Sequence, residues 1–159
     1  MKNLYRSIYF IESMDFILIL VFAIAIYVGW NIGANDTANA MGVPVGAEVL
    51  TFRNAVLISA FAAFFGAVLQ GKYVMKTIGK GIIDFSRVPP AYITIVAIIA
   101  LVSAGIYVTV ATALKYPVST SQAIVGAVIG IGLALQILGI APEIHINWKI
   151  VKYIFISWI

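Results

Sequence analysis

Gly29-Trp-Asn-Ile-Gly-Ala-Asn-Asp-Thr-Ala-Asn-Ala-Met-Gly42 is the stretch on which the reading of this chain turns. Upstream of it, Phe16 to Asn35 carries no charge and is rich in Ile, Leu, Val and Phe. That run is about 20 residues, enough to cross a hydrocarbon core. Polar side chains then crowd in at Asn31, Asn35, Asp36 and Asn39. Gly29, Gly33 and Gly42 permit dihedrals that end a helix, and Pro44 cannot continue one. The first helix is therefore expected to break here. If the stretch is helical, Asn35, Asp36 and Asn39 can share a face. Asn35 or Asp36 can instead cap a new short helix. The bland reading is an interfacial loop with turn-forming asparagines. Against it stands the density of polar groups, because an intramembrane carboxylate is costly and usually marks an ion or substrate path.

The surrounding sequence sets the solvent. Of 159 residues, 63% are hydrophobic and 10% charged, and mean hydropathy is +1.08. A soluble domain carries roughly 25% charged residues. So few charges could not cover a soluble surface, and the bilayer is the natural surroundings. There is no cysteine, hence no disulfide framework and no thiolate metal site. The formal net charge of +4 comes from basic residues between apolar runs. It reads as charge at membrane edges rather than as a nucleic-acid surface. Glu12 and Asp15 interrupt the first apolar run, and no removable signal peptide is expected.

Further along, Asn54 to Gly71 is a second uncharged stretch. A polar connector from Lys72 to Arg87 carries Lys72, Lys76 and Lys80 at helical spacing, as the headgroup-facing stripe of an interfacial helix would. Pro89-Pro90 opens an apolar segment ending at Leu114. Tyr116 to Pro142 is again uncharged, and a short connector to Asn147 holds His145 beside Glu143. His145 reads as an interfacial residue, and no transition-metal site is expected. From Trp148 a final segment runs to Ile159, too short to span. It suggests a fragment or a helix that stops inside the membrane. The runs are apolar throughout rather than alternating, which excludes a membrane barrel. The expected fold is an all-α integral membrane bundle, a single repeat over 1–159. Its spans are about 16–35, 54–71 and 89–114, with a hairpin or helix over about 117–141 and the start of a further helix at 148–159.

A second break is expected at Tyr116-Pro-Val-Ser-Thr-Ser-Gln-Ala-Ile-Val-Gly126. Ser119 and Gln122 form an S-x-x-Q capping box, a start signal for a helix. Gly126 and Gly130 in that helix suit close packing. Its first amides lack intrahelical acceptors and its dipole makes that end positive. The hydroxyls of Ser119, Thr120 and Ser121 add donors. An ordinary helix cap at the membrane surface is the bland alternative. Together the two stretches suggest broken helices that present amides to an anion and oxygens to a cation. Neither cluster contains arginine, so an anion held there needs its charge offset by dipoles, hydrogen bonds and bound cations.

Gly33-Ala-Asn-Asp-Thr-Ala-Asn-Ala40, with the residues through Gly46 and Thr51-Phe-Arg53, resembles the signature of the inorganic phosphate transporter (PiT) family. Pro117-Val-Ser-Thr-Ser-Gln-Ala-Ile-Val-Gly126 is similar to that family's segment at a re-entrant hairpin. The resemblance implies sodium-coupled uptake of inorganic phosphate by two inverted repeats in a cell membrane. It implies phosphate contacts from Asp36, Asn39, Ser119, Thr120 and Ser121. It implies sodium contacts from Asn35, Asp36, Asn39 and Thr120, with sodium as coupling ion and no other cofactor. Gln122 stands where histidine is common in the family. One copy of each motif is present, so a second repeat or sister subunit is an expected partner, in an oligomer. The basic connector would face the cytoplasm by the positive-inside rule, whereas the family's usual arrangement places it outside. Two other readings are sulfate or another oxyanion as cargo, and a non-transporting subunit whose polar clusters hold helices together. No nucleophile and base are paired, so no enzyme is expected.

Overall fold

The computed structural model describes the backbone of residues 2–158 and the side chains of 15–79 and 81–158. Five α-helices follow one another: α1 Lys2–Gly46, α2 Phe52–Lys76, α3 Pro90–Ala113, α4 Thr120–Ile137 and α5 Trp148–Ile156. Four stretches are long and apolar enough to cross a membrane: Asp15–Gly46, Phe52–Gly79, Pro90–Ala113 and Thr120–Ile137. Large apolar side chains such as Phe61, Phe64, Phe65 and Leu69 stand outward from α2. An apolar exterior of this kind suits lipid or further helices, not water.

The expected break in the first helix does not occur. α1 runs unbroken through Gly29, Gly33 and Asp36 to Gly46. Asparagine breaks a helix when its side chain competes for nearby backbone groups. Here Asn35 and Asn39 reach across to other parts of the chain instead, and the ladder is left intact. Pro44 does not stop it either: it lies inside α1, which runs on to Gly46. Glu48 then takes a left-handed φ of 59°. The Val49 N–H returns to the Pro44 carbonyl at 3.0 Å and the Glu48 N–H to Val45 at 3.1 Å, a Schellman closure.

α3 begins on Pro90, whose missing N–H costs nothing in a first turn. It ends by the same device at Lys115, φ 61°, with the Tyr116 N–H on the Ala111 carbonyl at 2.8 Å. Pro117 cannot donate to a helix, and α4 starts three residues later with Ser119 as N-cap. Its Oγ accepts the Gln122 N–H at 3.3 Å. α3 and α4 therefore form an antiparallel hairpin. Val96 and Ala100 near the start of α3 pack on Ile131 and Leu135 near the end of α4. The tip of this hairpin carries Pro117 to Ser121.

At the other end the two connectors pack on α4. A π-helical turn, Thr77–Ile82, extends α2, and a 3-10 turn follows at Phe85–Arg87. The expected interfacial helix is thus a continuation of α2: Lys72 and Lys76 lie exposed near its end, and the Lys80 side chain lies outside the described residues. Ile83 pairs with Ile146 in an isolated antiparallel bridge, and the Asn147 N–H donates to the Ile82 carbonyl at 2.8 Å. Ile82, Ile83 and Ile146 share a buried cluster with Val125, Val128 and Val151. His145 stays exposed on the connector and lines a shallow cleft with Asp84 and Arg87.

Gly132 makes this closure possible. A Cβ there would lie 3.0 Å from Ile83 Cγ2 and 3.4 Å from Ile146 Cγ1. Gly132→Val is expected to destabilise the protein by ~1–3 kcal/mol through overpacking. Thermal unfolding in detergent checks this.

Candidate functional site

An α-helix places residues four apart on one face. Tyr27, Asn31, Asn35 and Asn39 follow that spacing along α1 and form one polar stripe. The stripe meets two hydroxyls of α3, Thr109 and Thr112, and then the hairpin tip. Asn31 Nδ2 donates to the Tyr27 carbonyl at 3.1 Å, and Thr109 Oγ1 donates to Asn31 Oδ1 at 3.0 Å. The Tyr27 hydroxyl lies 2.6 Å from Thr109 Oγ1, whose proton also faces the Gly105 carbonyl at 2.8 Å. One turn further, Asn35 Nδ2 donates to Thr112 Oγ1 at 3.1 Å. Asn39 Nδ2 lies 3.0 Å from Asn35 Oδ1 and 3.4 Å from the Val118 carbonyl.

Beside this stripe, Thr120 Oγ1 donates to the Asp36 carboxylate, 3.1 Å from Oδ2 and 3.3 Å from Oδ1. Residues 84 positions apart in sequence thus meet at the first turn of α4. Asn31, Asn35 and Thr120 are buried; Asp36, Asn39, Ser119 and Ser121 are exposed on this chain. Ser119 Oγ is engaged as the cap of α4, so its proton, not its lone pairs alone, remains for a ligand. Ser121 lies one residue into the helix on the same tip. Behind Asn31 and Thr120, a narrow void is lined by Val28, Ala104, Gly105 and Val108. The close approach of α1 and α3 there relies on Gly105, whose added Cβ would fall 2.7 Å from Tyr27 Cε1.

The structure therefore brings Asn35 with Asn39 into one hydrogen-bonded pair and Asp36 with Thr120 into another, both at the hairpin tip, with Ser119 and Ser121 next to Thr120 in sequence. Sequence reasoning assigned nothing to Tyr27, Thr109 or Thr112, and noted Asn31 without giving it a role. The fourfold spacing from Tyr27 to Asn39 was the available signal, obscured by the expectation of a broken helix. Gln122 lies outside the group. It lines a groove of about 290 Å³ with Ser103, Tyr107 and Gly126 on another face of α4.

The chemistry at the tip is that of hard oxygen: a carboxylate, amide oxygens, hydroxyls and the Val118 carbonyl. Such donors suit hard cations rather than soft metals. Among the described residues no group of three or more His, Cys, Asp or Glu side chains is placed to hold a metal ion. The two amides at the start of α4, with the hydroxyls of Ser119 and Ser121, form a donor set of the kind that receives oxyanions.

Helices of membrane-spanning length that bring these polar side chains together define a multi-pass membrane protein. Residues 32–159 match the phosphate transporter family, and the chain belongs to it. It is 40% identical over 148 residues to a protein of Pyrococcus abyssi named a phosphate permease, covering 92% of this chain and 35% of that one. A Chlamydia pneumoniae protein of the same name is 42% identical over 145 residues, covering 90% and 33%. A solved structure described as the sodium-dependent phosphate transporter superposes with a TM-score of 0.78 at 41% identity, covering 89% of this chain and 34% of that one. The chain spans about a third of the length of the curated relatives it matches.

Thr109 is the shared partner of Tyr27 and Asn31. Thr109→Val is expected to cost ~1–2 kcal/mol, because it strands two polar groups rather than one. Thr94→Val, at an exposed position of α3, is expected to stay within about 0.5 kcal/mol of the parent. Detergent melting curves of the two variants give the comparison.

Proposed function

We propose that the protein carries out sodium-coupled transport of inorganic phosphate and that this chain supplies half of the transport site. The observation that carries the reading is the meeting of Asp36 with Thr120, flanked by Asn35 and Asn39. It joins a carboxylate to the positive end of a helix in a protein of the phosphate transporter family. On this reading the hydroxyls of Ser119 and Ser121 and the first amides of α4, that of Thr120 among them, receive phosphate oxygens, with Asp36 and Asn39 beside them. Asn35, Asp36, Asn39 and Thr120 supply oxygens to sodium.

Coupling follows from charge. None of these residues is basic, and a helix end contributes only about half an elementary charge. Phosphate placed beside the Asp36 carboxylate would be repelled. A sodium ion bound between them reverses that sign, so each ligand raises the affinity of the other. Phosphate, unlike sulfate, keeps a proton that can be donated to Asp36, which favours it over sulfate as cargo. Asp36, Asn39, Ser119 and Ser121 are exposed on this chain. A second repeat or sister subunit covers them and closes the site against lipid and water.

The test is uptake of radiolabelled phosphate into vesicles holding the complete gene product, with and without an inward sodium gradient. Asp36→Asn is expected to lower sodium-stimulated uptake roughly 10- to 100-fold, the loss of one charge-assisted contact. Excess sulfate should compete poorly. Uptake indifferent to sodium, or equal in the variant at equal abundance, would rule the reading out.

A further inference from the structure

We propose that Thr112, which touches neither ligand in the reading above, is a positioning residue that fixes which way the Asn35 and Asn39 amides face. The inference rests on that transport reading. A side-chain amide can occupy its site in two orientations that exchange oxygen for NH2, and its neighbours decide between them. Val118 lies just before the cap of α4, and its carbonyl can only accept. The Asn39 nitrogen at 3.4 Å must therefore be the group that faces it. That same NH2 lies 3.0 Å from Asn35. Two NH2 groups cannot face one another, so Asn35 presents its oxygen. Its own NH2 is then turned to Thr112 Oγ1 at 3.1 Å, which accepts.

The chain of donors runs one way, from Asn39 to Asn35 to Thr112. Both Asn39 N–H bonds are consumed within the protein, on Asn35 and on Val118. Its Oδ1 is left as a pure acceptor, on the same exposed end of the stripe as the Asp36 carboxylate. That is the polarity a cation needs. The chain has two anchors, the Val118 carbonyl at one end and the Thr112 hydroxyl at the other. Asn35 is only 4% exposed, so its amide depends on protein partners. Without the hydroxyl oxygen, the buried Asn35 NH2 would have no partner on α3. Rotating the amide would satisfy it on Asn39 Oδ1, and the weak Val118 contact alone would then oppose reversal of the chain. A reversed chain presents donors where sodium needs oxygens.

The experiment uses the complete gene product in vesicles, with Thr112→Val and Thr112→Ser beside the parent. Valine keeps the shape of threonine and removes the acceptor; serine keeps the acceptor. For Thr112→Val, the sodium concentration giving half-maximal phosphate uptake is expected to rise roughly five- to tenfold, the equivalent of one net hydrogen bond. The KM for phosphate at saturating sodium is expected to stay within about twofold, as is the sodium requirement of Thr112→Ser. An unchanged sodium requirement in Thr112→Val overturns the inference, whether or not its abundance falls. So does a Thr112→Ser that behaves like the valine variant. A parent whose uptake ignores sodium overturns the transport reading itself, and this inference with it.

Discussion

A polar side chain inside a bilayer has no water to turn to, and every feature of this chain around α1 answers that constraint. Backbone groups are satisfied within helices, but Asn31, Asn35, Asp36 and Asn39 bring extra demands. α3 meets the first two with Thr109 and Thr112. The hairpin tip meets the others with the Val118 carbonyl and the Thr120 hydroxyl. Each of these side chains has a partner on another segment, and the one bond to the main chain of α1, from Asn31 to the Tyr27 carbonyl one turn back, follows the helix rather than breaking it. The helix can then carry a carboxylate to the tip of the hairpin without unwinding.

The hairpin is held for this task from its far end. Two apolar clusters pin α4: one against the start of α3, one against the connectors. The Ile83–Ile146 bridge ties those connectors to each other, and Arg87 Nη1 adds a bond to the Glu143 carbonyl at 3.2 Å. Three left-handed residues, Glu48, Lys115 and Gly139, close the ends of α1, α3 and α4. Two of the three are charged residues with a Cβ, in a conformation that costs L-residues energy. This packed base sits opposite the tip, where Val28, Ala104 and Val108 back the buried Thr120.

Much of this was legible in the residues, and the failures share a cause. Apolar length marked the membrane helices, and Ser119 with Gln122 marked the start of α4, where the cap bond forms. The clustering of Asp36 with Asn35 and Asn39 pointed to that part of α1. The supposed break at Gly29–Gly42 failed because local propensity was weighed without tertiary partners. Glycine and asparagine weaken a helix in water, but inside a bundle their cost is offset by contacts that no local window contains. Thr109 and Thr112 were invisible for the same reason. A threonine near the end of an apolar helix has no distinguishing neighbours in sequence, and its meaning comes only from the asparagine opposite. The connector illustrates the converse. Lysine spacing correctly suggested helix around Lys72 and Lys76, but the pairing of Ile83 with Ile146, far apart in the chain, carries no sequence mark.

The 84-position separation of Asp36 and Thr120 also imposes an order in time. At ~5–20 residues per second, translation delivers the carboxylate roughly 4–17 s before the hydroxyl that receives it. Through that interval the nascent α1 carries a charge and three amides with their partners still unmade by the ribosome. Lateral release of α1 into lipid is disfavoured until α3 and α4 arrive, so the insertion machinery must shelter the helix, or let it wait at the headgroups, while the hairpin is synthesised.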